Sequence, residues 1–444
     1  MKQFLSITTL FFVTMLLNSG ATTSELARAS NGLPAPVQSS AEAKQEITEA
    51  AGDLAKRSGL TSNAAIATQA LKPGTNDRAK GKSGRTGAQG HSIEIALVAN
   101  AQAGTVALVD VASRSVLGTI DVNPARVKSE GPGAPNYAQD TDVSPDGRTL
   151  YVSRGYIGDV AAFDIASGRL LWARPLNTGR ADHMTLTRDG RSLFVSALMD
   201  NRVYRIKTAT GEITGHFLTG AYPHDNKVSR DGRRVYNSSI GPLGSLPRRA
   251  GAPPLTETPA NPFQLTIVDA DTLQIRDRIR FDKGIRPWEF THDEKALYAQ
   301  LSNEHAVVAY SLGARKVVRR LDLPVKPGVT VADWDFEAPH HGLALTPDGN
   351  TLCLAGRASD YAALVRAPSL KLIATIPVGD APGWSEVADN GRLCLVANTR
   401  SDDLSIISIP KRAEIVRLPI GDGPKHITVA RIPASVIAAF KARP

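Results

Sequence analysis

The chain has 444 residues and a net charge of +9, from 52 Lys and Arg against 43 Asp and Glu, with 5% aromatic residues and two cysteines. No run of basic residues is interleaved with aromatics, so this mild positive balance does not describe a nucleic-acid-binding protein. No Cys-x-x-Cys-His occurs, which excludes covalently attached c-type haem.

Residues 1–21 carry Lys2, an apolar run from Phe4 to Leu17, and then Ser19-Gly20-Ala21. This is the pattern of a secretory signal peptide, too short and wrongly flanked for a spanning helix. No Cys follows it to take a lipid, and no later stretch could span a bilayer, so no membrane anchor is expected. The mature protein is expected in the periplasm or outside the cell, as a monomer. Residues 22–90 are rich in Ala, Ser, Thr, Gly and Lys and read as a disordered or weakly helical tether, with helical composition only at 41–58.

From residue 91 to 433 one phrase recurs: a short apolar strand, an Asp-Gly turn, and a second strand of the Leu-Tyr-Val kind. The clearest copies are DVSPDGRTLYVS (142–153), TLTRDGRSLFVS (185–196) and ALTPDGNTLCLA (344–355). The turn Asp, or Asn in the last copy, falls at 146, 189, 231, 293, 348 and 390, a base period near 42 with two longer intervals. A third strand ending in Asp and a fourth apolar one complete each unit, as in TVALVDV (105–111) and SVLGTIDV (115–122). Four short strands in about 40 residues make one blade of a β-propeller. Seven second strands can be counted, and the orphan strand HITVARIP (426–433) stands in register to complete the first blade. The expected fold is therefore an all-β, seven-bladed propeller of four-stranded blades, its ring closed by a C-terminal strand. Residues 434–444 read as a tail.

Copies such as SPDGRTLYVSRG and VANAQAGTVALVDVASRSVLGTI resemble the YVTN-type propeller repeat of secreted and periplasmic bacterial and archaeal proteins. That consensus runs Pro-Asp-Gly, Leu-Tyr-Val-Thr-Asn, then Val-Ile-Asp. The resemblance implies the propeller fold, used by such proteins as binding modules, cell-surface proteins, cofactor-bearing domains and occasional enzymes.

Cys353 is the fourth residue after its turn Gly and Cys394 the third after its own, so they point to opposite faces of equivalent strands in adjacent blades. Two buried thiols are the expectation, with a contact across the blade interface left open.

Strand order puts the Asp-Gly turns on one face and the loops after second strands on the other, the top face. Insertions at 239–262 and 325–338 both land there, and long loops inside compact domains are commonly lids or binding loops. Five of nine histidines start first strands on this face: His183, His224, His340, His341 and His426. Asp140 and Asp225 share that level, Glu289 and Glu386 stand one strand period further in, and Trp288 and Trp384 sit alongside. Arg154, Arg357 and Arg400 follow second strands.

Three readings of this group are open. Polar residues lining a water-filled channel need no partner beyond solvent. Imidazoles and carboxylates from several blades can instead meet on a divalent metal. An organic ligand would stack on Trp288 and Trp384, with the arginines fixing its carboxylate or phosphate. The corresponding functions are a binding module for a small ligand or protein partner, and a metal-dependent hydrolase or lactonase with Glu289 or Glu386 moving the proton. The resemblance adds a redox module with a non-covalent cofactor of the haem d1 or quinoprotein kind. The Asp-Gly turns lack the Asp spacing of a calcium loop, and no serine-nucleophile or His-Glu-x-x-His motif is present.

Overall fold

Five of the repeats fold back on a short polar lattice. In the second blade Ser144 Oγ donates to Asp146 Oδ1 at 2.5 Å, the same oxygen accepts the Arg148 N–H at 3.1 Å, and Gly147 takes φ +68°. Thr187 with Asp189, Ser229 with Asp231, Thr291 with Asp293 and Thr346 with Asp348 repeat the bond. The carboxylate satisfies the tight turn and the glycine supplies its left-handed backbone, which is why these residue types recur.

The computed structural model describes residues 91–443 apart from 132, 177 and 243–260. The signal peptide, the tether and most of the 239–262 insertion lie outside the described residues. Among those described, no helix is long and apolar enough to cross a membrane.

Seven antiparallel four-stranded sheets form an all-β, seven-bladed propeller. The inner strands of the second to seventh blades are Asp140–Val143, Ala181–Leu186, Pro223–Val228, Ile285–Phe290, Leu343–Leu345 and Pro382–Ala388. The first blade takes its inner strand, Pro424–Pro433, from the far end of the chain. It pairs antiparallel with Ser92–Asn100, from Ser92 opposite Pro433 to Asn100 opposite Pro424.

Alternate residues of neighbouring sheets build the cores between blades. Between the first two blades Ile95, Leu97, Leu150, Val152 and Phe163 are buried together. Residues beyond the closing strand add to that core: the helix Ala434–Lys441 buries Val436, Ile437 and Phe440 in it. The Phe440 ring lies over Gly118, where a Cβ would stand 3.2 Å from Cε1 on a backbone with φ +142°.

Cys353 and Cys394 are joined as a disulfide, with a Cα–Cα distance of 6.2 Å. This corrects the expectation of two free thiols. Their strands, Thr351–Gly356 and Leu393–Asn398, belong to the sixth and seventh blades, whose facing surfaces share one core. Surfaces that face each other across an interface carry residues of opposite strand parity, so opposite parity brings this pair together. The bridge spans 41 residues. Chain-entropy arguments give such a loop about 4 kcal/mol of stabilisation. Cys353→Ala with Cys394→Ala is expected to lose about that much in chemical denaturation. A reductant should lower wild-type stability similarly and leave the double variant unmoved.

Candidate metal centre

The inner strands open on the axis at their first residues, and there the ladder breaks. Register shifts fall between Ala181 and Met184, Pro223 and Asn226, Ile285 and Trp288, and Pro382 and Trp384. The closing strand shifts between Pro424 and His426. Proline removes a ladder donor and is tolerated on such an edge, and a bulge re-aims the side chains beside it. Successive residues can therefore both work at the axis. Asp182 Oδ1 accepts from Gln139 Nε2 at 2.7 Å, while His183 Nδ1 lies 3.1 Å from Asp140 Oδ2.

Counted back from each turn, two tiers result. Seven residues before it stand Gln139, Asp182, His224, Arg286, His341, Gly383 and, by register, Lys425; six before stand Asp140, His183, Asp225, Pro287, Gly342, Trp384 and His426.

Four of the five histidines expected at the site converge. The ring centroids of His183 and His224 are 4.6 Å apart, those of His183 and His426 5.5 Å, and His224 Nε2 lies 3.2 Å from His341 Nε2. His183, His224 and His341 each offer a ligand atom within 4.8 Å of the others, as do Asp140, His183 and His426. Two partners settle which nitrogens are free. Ionised Asp140 and the Gly383 carbonyl only accept, so His183 and His341 donate through Nδ1, the latter at 2.9 Å. Each neutral ring then has its lone pair on Nε2. A divalent ion bound at about 2.0–2.1 Å with tetrahedral geometry needs nitrogens about 3.3 Å apart, close to the His224–His341 separation. His224 Nδ1 is buried without a partner.

The electrostatics keep most of this group neutral. Burial, with the charges of His183, His341 and Arg286, holds His224 well below its ordinary pKa. Burial and His183 act likewise on His341. Burial also disfavours charge on His183, but the Asp140 bond and the nearby carboxylates outweigh it and raise its pKa. Burial would raise Asp140, yet His426 and His183 hold it well below the usual carboxylate range. A carboxylate behind an imidazole fixes its tautomer and raises its basicity, the support given to metal-binding histidines.

Most of the group is buried: His183 is 1% exposed and His224 2%, and Trp384 closes one side, stacked 4.9 Å from His183 and tilted 4.2 Å from His426. Of the readings open from the sequence, solvent-lined polarity fits the part-exposed His341 better than the buried His183 and His224.

Further in, Lys227 bonds Glu289 and lies 3.9 Å from Asp225. Burial pushes Asp225 up to about 6, and Asp142 and Glu386 up to about 7. Glu289 and Glu386 belong to this carboxyl layer; among the described residues neither bonds an imidazole.

Above the histidines the 325–338 insertion is strapped by arginines. The Asp335 carboxylate accepts from Arg357 at 2.9 Å and from Arg400 at 2.8 Å, and the Phe336 carbonyl accepts from Arg286. These two arginines thus hold the strap, beside a pocket of about 330 Å³ that they line with Gly328, Asp360 and Asp380. The other candidates lie elsewhere. His340 turns to His305 at 2.9 Å and Tyr361 at 3.3 Å. Trp288 is fully buried with Tyr236 and Phe290 and presents no face for stacking. Arg154 is buried in a two-point ion pair with Asp159.

Gln139, Arg180, Asp182, Arg286 and Lys425 were not anticipated. Four of them hold the same repeat position as His224 and His341, so aligning the turns column by column would have found them. Arg180, which bonds Gln139 and Asp182 at 3.3 Å each, had no such signal.

The fold and this group define a propeller with a polyhistidine centre on its axis. No family model matches the chain, and no curated protein matches it either. Hydrazine synthase of Kuenenia stuttgartiensis is similar in structure, with a TM-score of 0.54 and 18% identity over 69% of this chain and 89% of that one. It is one of 1695 solved chains that match. At this identity the likeness shows the fold alone, and so widely used a fold does not carry an activity.

Glu386 yields a test of the carboxyl layer. Its folded-state pKa of about 7 exceeds the ordinary 4.5, so its contribution is intact below about pH 4.5 and is lost as pH rises to about 7. Glu386→Gln is expected to leave the melting temperature unchanged near pH 4.5 and raise it at pH 8. Equal melting of the two proteins at pH 8 would refute the assignment.

Proposed function

We propose that this protein is an exported propeller of the YVTN type that binds one divalent transition-metal ion on its axis. His183, His224 and His341 are the ligands, with Asp140 and His426 beside them. The observation that carries the reading is the convergence of three imidazoles from three blades, two with Nδ1 committed to an acceptor, so that in the neutral ring the lone pair is on Nε2. Neutral imidazoles with an open position suit zinc, copper, iron or nickel. Export rests on the leader-like residues 1–21 and agrees with a disulfide, which persists in oxidising compartments.

Binding is preferred to hydrolysis because the expected proton carriers, Glu289 and Glu386, lie in the lower layer, with Glu289 held by Lys227. A planar macrocycle such as a haem does not fit. The His183 ring packs 4.6 Å from that of His224 and 4.9 Å from that of Trp384, spacing suited to an ion rather than to a large planar ring.

Mature protein purified without chelator or His-tag is expected to hold about one equivalent of a transition metal by mass spectrometry. His224→Ala with His341→Ala should bring this below about a tenth. Circular dichroism would show whether the variant is folded. Metal-free wild type that takes up no added zinc, copper, iron or nickel would overturn the reading.

A further inference from the structure

Two cations beside the imidazoles lack an ion-pair partner. The nearby carboxylates Asp182 and Asp335 are already matched, Asp182 lying 3.3 Å from Arg180 and Asp335 being shared by Arg357 and Arg400. Among the described residues, Arg286 and Lys425 have no carboxylate within ion-pair distance, although the charge of Glu337 reaches Arg286.

Arg286 is 2% exposed, an uncommon place for a guanidinium without a counter-ion. Its Nε donates to Ser302 at 2.9 Å and one Nη to Phe336, while the other Nη meets no acceptor among the described residues. It is close enough to His224 and His341 for its charge to act on both. Lys425 is half-buried next to His426 and donates to nothing among the described residues; burial, with the charges of Arg180 and Arg357 and against those of Asp182 and Asp335, pulls its pKa down to about 7. Both residues occupy the repeat position that holds His224 and His341, so they stand at the level of the imidazoles.

Desolvated cations without partners are costly, and an anion that supplies the missing acceptors makes charge-assisted bonds with them. The lysine offers a point charge and the arginine a planar fork, a combination suited to carboxylate oxygens.

We infer that the mouth is an anion subsite, in which Arg286 and Lys425 hold a small carboxylate ligand over the histidine group. This deepens the metal-binding reading by naming the class of ligand brought to the open side of the ion. The cations alone suffice to hold it, so the subsite does not require the ion.

The test is calorimetric titration of succinate into wild type, both metal-free and zinc-loaded, with neutral succinamide as control and metal content measured on every sample. Saturable binding of succinate and none of succinamide is expected. Lys425→Met should weaken it about tenfold or more with zinc content unchanged. Arg286→Gln should do the same, and because Arg286 is buried, Lys425→Met decides the matter if that variant does not fold. Wild type that ignores succinate in both forms, or Lys425→Met that binds it with wild-type affinity, overturns the inference. The two readings fail separately. Protein that holds zinc and ignores succinate loses only the subsite. Protein that binds succinate and takes up no zinc loses only the metal.

Discussion

The contact on which everything else depends is the pairing of Pro424–Pro433 with Ser92–Asn100. A ring of blades left open ends in two bare sheet edges, and the cores between blades hold only if each sheet has a neighbour on both sides. Closure also sets the chemistry. It brings His426 and Lys425 to the axis, with His426 2.9 Å from Asp140 of the second blade and its ring against Trp384 of the seventh. The centre is thus assembled from residues almost the length of the propeller apart in sequence.

Along the axis the charges are layered. Arg357 and Arg400 stand at the mouth, imidazoles held mostly neutral lie beneath with Arg286 and Lys425 at their level, and a carboxyl layer around Lys227 lies deeper. Each layer acts on the next: Arg286 disfavours protons on His224 and His341, and Asp140 draws one toward His183. A neutral imidazole is what a metal ligand must be, so burial and neighbouring cations prepare these rings without any direct bond from the arginine.

The fold was legible because its signals are local. Six Asp-Gly-type turns and the alternation around them define the strands, and the orphan strand at 426–433 announces closure. The histidines were legible as well, since they recur at fixed distances from the turns. What could not be read is set by three-dimensional detail that periodicity leaves out. The bulges at Pro223, Ile285 and Pro382 change which side chains reach the axis. Trp288, five residues before its turn, falls in a core, while Trp384, six before its own, walls the centre. His340 and His341 are neighbours in sequence and part company, one toward His305 and the other toward the channel. Strand parity was read correctly for Cys353 and Cys394, but parity within a sheet does not reveal which surfaces meet between sheets. Arg286 was hidden for a plainer reason: it shares repeat position with the histidines, not residue type.

The strap across the mouth has a different character from the blades. Val331 is 65% exposed and Phe336 42%, and Phe336 and Glu337 adopt φ of +50° and +62° without being glycine. Its hold on the propeller comes from hydrogen bonds and ion pairs rather than buried apolar surface, and it carries local backbone strain. Such attachments weaken in salt, whereas the disulfide and the cores between blades do not. Ionic strength therefore acts on the hold of this strap separately from the forces that keep the propeller folded.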